Sequence, residues 1–236
     1  MELQDKIYSG KTKDIYALAN GNLWIVFKDD VTGENGIVDP GANTVMGKIE
    51  GKGRMSLRLT EYFFALLGDN GIPTHLVHVD VARNAMEVKP AGVLGRGEKT
   101  PGGLEFICRT LAYGSFLRRY SNILREPLQA LDYLVEITLK DDERGDPLIN
   151  DDALVALHVL SRSQLERAKA LTRQITQRIA GNLKEKSLTL VDIKMEFGLI
   201  DGDIALIDEI SADAMRVMDA EGNVLSHMAL YEILCG

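Results

Sequence analysis

Hydrophobic and polar positions alternate in several short stretches of the chain, and this period of two residues predicts strands. The predicted strands cover residues 14–19, 23–27, 74–81, 85–88, 104–109, 133–139, 188–197 and 204–210. Helical patterns cover residues 56–67, 114–120 and 163–180. Stretches rich in glycine or charge, without either period, are predicted as loops at residues 29–53, 92–103 and 140–152.

Turn and capping residues connect these elements. Asn20-Gly21 separates two strand patterns and predicts a hairpin, because both residues tolerate positive φ. Ser163 and Glu166 have capping-box spacing at the start of the longest helix, and Gly181 is its expected stop. Strands grouped in antiparallel hairpins and interrupted by helices favour an α+β fold with mostly antiparallel sheets over a doubly wound parallel sheet.

The strand pattern at residues 188–197 has an unusual polar face. Side chains alternate between the two faces of a strand. One face therefore carries the apolar residues Val191, Ile193, Met195 and Phe197. The other face carries three charges of mixed sign in a row, on Asp192, Lys194 and Glu196.

Asp208, on the returning strand, joins or leaves this row according to the length of the turn. A three-residue loop at residues 201–203 pairs Glu196 with Asp208, and this register is favoured because it keeps the apolar side chains together. A two-residue loop opposes Asp208 to Met195 instead. Opposed carboxylates need a cation between them. Two interpretations stay open: an exposed polar face with salt bridges, and a hard-cation site for Mg²⁺ with phosphate oxygens.

Composition places the chain among ordinary globular proteins. Of its 236 residues, 45% are hydrophobic and 26% are charged, which excludes disordered, collagen-like and disulfide-scaffold classes. The net charge of -8 argues against a general nucleic-acid or anionic-membrane surface. Cys108 and Cys235 are too far apart for a redox or zinc motif, and the N-terminus lacks a basic stretch followed by an apolar one. These features predict a cytoplasmic protein without a membrane span.

Basic residues near glycine or serine are candidate phosphate contacts. Lys11 and Lys13 follow Gly10 in a turn that leads into a strand, which excludes a P-loop but suits a hairpin that covers phosphates. An exposed turn with two solvated lysines is the alternative. Arg109 and Ser115 lie at a predicted strand-to-helix junction, where guanidinium and hydroxyl groups suit a phosphate monoester, and a basic helical turn in solvent is the alternative. The four histidines show no ligand spacing and receive no role.

Seven segments, taken in order along the chain, carry a family resemblance. They lie within residues 8–16, 27–30, 71–74, 109–119, 139–148, 190–198 and 208–216. The most specific are Val-Asp-Ile-Lys-Met-Glu-Phe-Gly, at residues 191–198, and Asp-Glu-Ile-Ser, at residues 208–211. With these motifs the chain resembles the phosphoribosylaminoimidazole-succinocarboxamide synthase (SAICAR synthetase) family of purine biosynthesis, from residue 7 to about residue 219.

The resemblance implies a two-lobed fold with the ATP site in the cleft between the lobes. Residues 1–110 would form an N-terminal nucleotide-binding lobe, with a boundary between 85 and 110, and residues 111–236 a C-terminal lobe with the substrate and metal residues. It also implies a ligase that joins L-aspartate to the carboxylate of carboxyaminoimidazole ribonucleotide (CAIR), through an acyl phosphate, and releases SAICAR, ADP and phosphate. ATP and Mg²⁺ are the implied cofactors, and a homodimer is the implied assembly.

The same resemblance assigns roles to single residues. The residues implied to bind the ATP phosphates and their Mg²⁺ are Lys11, Lys13, Glu196 and Asp208. Those implied to contact the ribose 5′-phosphate and its surroundings are Arg109, Ser115 and Arg216, with Asp213 as a weaker substrate candidate. Those implied to lie near the CAIR carboxylate and a second metal are Glu105 and Asp146. The catalytic set is Lys194, to stabilise charge on the transferring group, Asp192, to orient Lys194, and Lys140.

Two other functions stay open on the sequence alone. One is a small-molecule kinase, since acyl-phosphate formation is half of the ligase reaction. The other is a nucleotide-binding regulatory module without turnover. Phosphate release that does not depend on aspartate favours the kinase, whereas tight nucleotide binding without product favours the module.

Overall fold

The computed structural model describes residues 3–34, 37–38 and 44–236. Its helices are α1 (Lys52–Asp69), α2 (Gly114–Tyr120), α3 (Asp151–Ala156), α4 (Arg162–Lys184) and α5 (His227–Cys235), with a 3₁₀ helix at Asp142–Arg144. Its strands are β1 (Leu3–Ser9), β2 (Lys13–Leu18), β3 (Leu23–Phe27), β4 (Asp30–Glu34), β5 (Ile37–Val38), β6 (Val45–Lys48), β7 (Leu76–Asp80), β8 (Ala85–Val88), β9 (Gly92–Val93), β10 (Leu104–Leu111), β11 (Ala130–Leu139), β12 (Thr189–Ile200), β13 (Asp203–Ile207) and β14 (Met215–Met218). Among the helices of the described ranges, none combines the length and the apolar character that a membrane span requires.

The chain forms two compact units. The first contains Met1–Gly92, Gly198–Asp213 and Ser226–Gly236, and the second contains Val93–Phe197 and Ala214–Leu225. One boundary was expected between residues 85 and 110, with every later residue in the second lobe. In the structure two later segments return to the first unit, so each unit is discontinuous along the chain.

The first unit is built around an antiparallel sheet with the strand order β1-β2-β3-β8-β7. The hairpin predicted at Asn20-Gly21 is confirmed, because β2 and β3 pair antiparallel on either side of it and Gly21 has φ 87°. The sheet packs on α1 through an apolar cluster in which Leu57 of the helix meets Ile25, Phe27, Met86 and Val88. Burial of this cluster fixes the sheet against the helix.

The second unit is built around a sheet in which β11, β10, β12 and β14 are antiparallel neighbours in that order. The predicted apolar face of β12 is confirmed, since Val191, Ile193, Met195 and Phe197 are buried. Cys108 lies on this face, opposite Ile193, and its thiol faces Thr176 of α4, the helix that packs against β10 and β11. The charged residues of β12 therefore lie on the face away from α4.

The predicted loop at residues 29–53 is wrong in part. Strands β4 and β6 pair antiparallel within it, and β5 pairs with β4. Helix α1 also begins inside this range, at Lys52, rather than at Ser56. Strands of four or five residues are too short to show a clear period among glycines and charges. Residues 35–36 and 39–43 of the predicted loop lie outside the described residues.

The two ends of α4 differ from the prediction. Ser161 is the N-cap and forms the capping box with Gln164, so the assignment to Ser163 and Glu166 is wrong. Both pairs have the same spacing, and the sequence alone does not separate them. The helix continues past Gly181 to Lys184, because burial of Leu183 outweighs the cost of about 1 kcal/mol for a glycine inside a helix.

The turn between β12 and β13 contains two residues, not the predicted three. Asp201 and Gly202 both have positive φ, 53° and 90°, as in a type I′ turn. The predicted pairing of Asp208 with Glu196 is therefore wrong. Asp208 itself follows the end of β13 and has φ 67°, so strand alternation does not extend through it.

Candidate functional site

The polar face of the second unit's sheet brings together charged side chains from four neighbouring strands. Arg109 of β10 lies opposite Asp192 of β12, and Asp192 lies opposite Arg216 of β14. Cross-strand partners share a face and lie about 5 Å apart. Register alone thus places a carboxylate between two guanidinium groups.

Arg109 is the buried centre of this group, with 2% of its surface exposed. Its Nε donates to Glu136 at 2.7 Å, and its two terminal nitrogens donate to Asp192 at 2.8 Å and to Ser115 Oγ at 3.0 Å. The planar guanidinium carries five N–H groups in a fixed fork, so it can hold these partners and also meet an oxyanion. Arg109 and Ser115, predicted together, are in direct contact.

Arg216 approaches the same carboxylate from the other side. One of its terminal nitrogens donates to both oxygens of Asp192, at 3.0 and 2.7 Å, and the guanidinium lies over the ring of Tyr113 at 5.7 Å. A Cβ on Gly114 would lie 3.2 Å from this guanidinium, and Gly114 has φ 53°. Glycine is required here for both reasons, since it permits the close approach and the left-handed backbone.

A third guanidinium, that of Arg119, joins this group because Glu136 accepts hydrogen bonds from Arg119 as well as from Arg109. We call the set the arginine cluster: Arg109, Ser115, Arg119, Glu136, Asp192 and Arg216. Its three guanidinium groups and two carboxylates leave a net charge of 3 − 2 = +1. An excess of positive charge with a hydroxyl group suits a phosphate monoester. Glu136 was missed by sequence reasoning. The register of β11 against β10 places it on the sheet face that also carries Arg109.

Asp192 was predicted to orient Lys194, and this prediction is wrong. The carboxylate of Asp192 is bonded to Arg109 and Arg216, whereas Lys194 Nζ donates to Glu105 Oε1 at 2.8 Å. Residues two apart on a strand share a face but are separated by about 6.6 Å, whereas a cross-strand partner is closer. Asp192 and Lys194 therefore pair with residues of other strands rather than with each other.

Lys194 is held in its charged form by Glu105. That carboxylate is 3% exposed and also accepts a hydrogen bond from Thr138 Oγ1 at 3.0 Å. Burial alone lowers the pKa of Lys194, but the charge of Glu105, its hydrogen bond and the charge of Glu196 together outweigh this effect, and the pKa is raised above its ordinary value. A lysine that stays protonated can stabilise developing negative charge but does not accept a proton at neutral pH.

Lys140 and Glu196 form a further ion pair in the second unit. Lys140 follows β11 directly, and Glu196 lies on the polar face of β12. Asp146 lies farther along the same loop with φ 49°, and its Oδ1 accepts the backbone N–H of Asp141 at 2.8 Å. This hydrogen bond gives Asp146 a role in shaping the loop.

In the first unit, Lys13 binds two adjacent carboxylates. Its Nζ lies 2.5 Å from Asp208 Oδ1 and 2.6 Å from Glu209 Oε1. Burial alone lowers the pKa of Lys13, but the charges of the two carboxylates outweigh it and raise the pKa well above its ordinary value. Sequence reasoning missed Glu209, because alternation would place it on the face opposite Asp208, whereas the positive φ of Asp208 allows both to reach Lys13.

His75, which received no role from the sequence, also contacts this group. Its Nε2 donates to the backbone carbonyl of Asp208 at 3.1 Å, and its ring meets Phe64 edge-on, with centroids 6.0 Å apart. Burial lowers the pKa of His75 to about 4, and the charge of Lys13 acts in the same direction. The ring is therefore neutral at neutral pH.

Asp213 is engaged inside the first unit. Its carboxylate pairs with Lys52, accepts from Ser56 Oγ at 2.9 Å and lies 3.0 Å from His227 Nε2. Lys52 is 1% exposed, which is unusual for a lysine. Burial alone raises the pKa of Asp213, but the hydrogen bond from His227 and the charge of Lys52 outweigh it and hold the pKa below its ordinary value. These contacts tie α1 and α5 to the segment after β13, so they stabilise the fold around Asp213.

The predicted cation site combines Glu196 of the second unit with Asp208 of the first, and it stays a prediction. Lys11 lies in the turn between β1 and β2, which is closed by a hydrogen bond from Gly10 N–H to the Lys13 carbonyl at 2.8 Å. In the described part of the chain, no three His, Cys, Asp or Glu side chains converge to hold a metal ion. Mg²⁺ typically uses one or two carboxylates, with phosphate oxygens and water as its other ligands. The carboxylates of Glu196 and Asp208 carry hard oxygen donors of this kind.

Comparisons with known proteins agree on one family. The family model described as SAICAR synthetase matches residues 6–228. The phosphoribosylaminoimidazole-succinocarboxamide synthase of Clostridium tetani is 51% identical over 212 residues, which cover 89% of this chain and 90% of that protein. The synthase of Methanoculleus marisnigri is 34% identical over 223 residues, which cover 94% of this chain and 85% of that protein.

Solved structures give the same result. A SAICAR synthetase in complex with ADP has a TM-score of 0.84 at 28% identity and covers 100% of this chain and 98% of that one. The phosphoribosylaminoimidazole-succinocarboxamide synthase of Ehrlichia chaffeensis has a TM-score of 0.81 at 27% identity and covers 98% of this chain and 92% of that one. The predicted α+β, SAICAR synthetase-like fold is confirmed.

The fold and these matches define an enzyme of the ligase class. The chain belongs to the SAICAR synthetase family, whose members are ligases of purine biosynthesis.

Proposed function

We propose that the protein condenses L-aspartate with the carboxylate of CAIR at the expense of ATP, and releases SAICAR, ADP and phosphate. The observation that carries this proposal is the arginine cluster, a net positive group around the buried Arg109, on the same sheet face as the charged Lys194. Such a cluster suits the 5′-phosphate of a ribonucleotide, and a lysine nearby suits a reaction in which negative charge moves.

The arginine cluster would anchor CAIR through its phosphate. Arg109 and Arg216 supply guanidinium N–H groups, and Ser115 supplies a hydroxyl group. Glu136 and Asp192 hold both guanidinium groups before substrate arrives, so binding costs little side-chain entropy. Asp213 is proposed as a weaker substrate candidate, which acts through the packing that it supports.

The ATP phosphates are proposed to contact Lys11 and Lys13 of the first unit. A solved relative of the same fold binds ADP, which supports a nucleotide ligand. Asp208 and Glu196 would supply carboxylate oxygens to the Mg²⁺ that accompanies ATP. When bound, Mg²⁺ neutralises charge on the β- and γ-phosphate oxygens. Because Lys13 already pairs with Asp208, a nucleotide phosphate would add an anion, and its Mg²⁺ a cation, to an existing ion pair.

Glu105 and Asp146 are proposed to lie near the CAIR carboxylate, with a second Mg²⁺. The carboxylate of Glu105 is buried and bonded to Lys194, so this pair can adjust to an added cation without exposing an unpaired charge. Lys140, paired with Glu196, is the neighbouring group proposed to stabilise the transferring phosphoryl charge.

The chemistry needs an activated carboxylate, because the oxygen of a carboxylate does not leave. A carboxylate oxygen of CAIR attacks the γ-phosphorus, the bond to the β-phosphate oxygen breaks, and ADP departs with that electron pair. The amino group of aspartate then attacks the acyl carbon and gives up a proton, and inorganic phosphate leaves. Lys194 stays charged throughout and stabilises negative charge on the reacting oxygens. The chain does not have to supply a covalent nucleophile.

Product analysis tests the proposal. ATP, Mg²⁺ and CAIR are incubated with and without L-aspartate, phosphate release is followed, and the succinylated product is detected by mass. We expect product when all the substrates are present and a loss of at least about 100-fold in Lys194→Met, the size found when one stabilising donor is removed. Lys186→Met, at an exposed position, is the matched control. Phosphate release at the same rate with and without aspartate would indicate a kinase. Nucleotide binding without product would indicate a regulatory module.

The proposed partners are small molecules, namely ATP, CAIR and L-aspartate, and not nucleic acid. The net charge of -8 supports this choice. The family resemblance supports a cytoplasmic homodimer, for which light scattering during gel filtration would report a mass of about twice 26.0 kDa.

A further inference from the structure

His75 occupies a fixed position beside the end of β13. The segment before β7 pairs with that strand in parallel, through a bridge between Thr74 and Leu206. Leu206 donates its backbone N–H to the Pro73 carbonyl at 3.0 Å, and His75 donates its backbone N–H to the Leu206 carbonyl at 3.1 Å. The backbone of His75 is therefore tied to β13 two residues before Asp208.

The side chain of His75 continues this connection to Asp208. The residue is 4% exposed, and its ring is packed against Phe64. From this position Nε2 donates to the backbone carbonyl of Asp208 at 3.1 Å. A buried ring with a fixed backbone has little freedom, so this hydrogen bond constrains the direction of the Asp208 carbonyl.

Asp208 needs such a constraint because its backbone is left-handed. Its φ is 67°, a region that residues with a Cβ rarely occupy and that surrounding contacts must maintain. The angle φ and the direction of the carbonyl together determine where the Cα–Cβ bond points. In the observed conformation the carboxylate reaches Lys13 Nζ, 2.5 Å from Oδ1. Without the constraint, the residue would relax toward extended backbone and its carboxylate would turn away.

We propose that His75 is a positioning residue, which holds Asp208 in the left-handed conformation that directs its carboxylate to Lys13 and to the proposed Mg²⁺ of the nucleotide. This inference rests on the proposed function only in that Asp208 is taken as a Mg²⁺ ligand there. His75 touches neither substrate nor metal in this role, and it acts through the backbone of Asp208.

Calorimetric binding of ADP, with Mg²⁺ and with EDTA, tests the inference without turnover. The gain in ADP affinity that Mg²⁺ confers is compared among the wild type, His75→Leu, which removes the donor, and His75→Gln, whose amide can donate from a similar position. We expect His75→Leu to reduce this gain by about threefold to tenfold, the range for one net hydrogen bond, and His75→Gln to restore most of it. His78→Leu, at an exposed position on β7, is the control.

Asp208→Asn separates positioning from a general structural effect. If His75 acts through Asp208, His75→Leu has no further effect on the Mg²⁺ gain in the Asp208→Asn background. Additive losses, an unchanged gain in folded His75→Leu, or equal losses in the Leu and Gln variants would overturn the inference. A wild type that binds Mg²⁺ and ADP but forms no succinylated product would refute the proposed function and leave the role of His75 intact. A wild type without any Mg²⁺ gain would overturn the role of His75.

Discussion

Ion pairs hold the charged side chains of the proposed site in place within each unit. Lys13 is bonded to Asp208 and Glu209 in the first unit, and Lys194 is bonded to Glu105 in the second. Fixed charges of this kind stabilise a developing charge without rearrangement at the moment of reaction. Loss of one partner would leave a buried charge uncompensated, which is costly. Substitutions that keep the size of the side chain are therefore the informative ones.

Glu196→Gln removes one carboxylate from the proposed Mg²⁺ site and nearly preserves its volume. We expect Mg²⁺-dependent product formation to fall by at least about 100-fold, because an amide is a much weaker ligand for a hard cation. Stability should change little, because the partner Lys140 is 35% exposed and can be hydrated. Steady-state kinetics and thermal unfolding measure the two effects. Glu166→Gln, exposed on α4, is the control, and a variant with large stability loss but normal activity per folded molecule would contradict the metal role.

Arg216→Lys keeps the positive charge but removes the planar fork. A lysine cannot bind both oxygens of Asp192 and also present a second nitrogen to a phosphate in the same plane. We expect the KM for CAIR to rise by about tenfold or more, with a smaller change in kcat. Arg162→Lys, at a half-exposed ion pair with Asp152, should leave both constants unchanged. An unaltered KM for CAIR in Arg216→Lys would place the substrate phosphate elsewhere.

Between elements, strand register and helix packing decide which charges meet. The register of β10, β12 and β14 places Asp192 between two arginines. In the first unit, α1 contributes Lys52 and α5 contributes His227 to one carboxylate, that of Asp213. Because the pKa of Asp213 is lowered in the folded chain, its ion pairs with Lys52 and His227 make the stability depend on pH.

Asp213→Asn should show this dependence as a difference from the wild type. Asp213 is depressed in pKa when folded, so its contribution is present above its unfolded pKa, near 3.9, and is lost as pH falls through the lower folded value. We expect Asp213→Asn to lower the free energy of unfolding by about 3 kcal/mol at pH 7, since Lys52 loses its buried partner. The deficit should shrink as the pH falls below about 4. Denaturant titrations at several pH values measure it.

Asp152→Asn provides the comparison, because the Asp152 side chain is 92% exposed. Its difference from the wild type should stay small at every pH. A deficit of Asp213→Asn that stayed constant between pH 7 and pH 3 would show that the carboxylate charge contributes nothing to stability, in contradiction to the network with Lys52 and His227.

For the whole molecule, ligand binding is linked to stability. A ligand that binds the folded chain alone raises the free energy of unfolding, by about 2.7 kcal/mol at 100 times its Kd. We expect ADP with Mg²⁺ to raise the Tm, and EDTA to remove most of that increase, because Asp208 and Glu196 would contact ADP through the metal. AMP, which lacks the β-phosphate, should have a much smaller effect. An equal Tm increase with EDTA would show that lysines alone bind the phosphates.

Much of the site could be read from the sequence because strand alternation is local. The grouping of Asp192, Lys194 and Glu196 on one face follows from the period of two residues, and the apolar face that they oppose is buried as expected. The partners of these residues could not be read, since a cross-strand contact joins residues far apart in the chain. Arg109 and Asp192 are 83 positions apart, and register alone decides that they meet.

The charged face of β12, the hairpin at Asn20-Gly21 and the family motifs were all determined by the sequence itself, because each depends on neighbouring residues. The tertiary structure decided the roles of His75, Glu136 and Lys52, which have ordinary local patterns and gain meaning from what is packed against them. It also decided the conformation of Asp208, where a left-handed backbone interrupts strand alternation. The physical reason is the same throughout: periodicity records which face a side chain takes, whereas burial, register and backbone strain determine its partner.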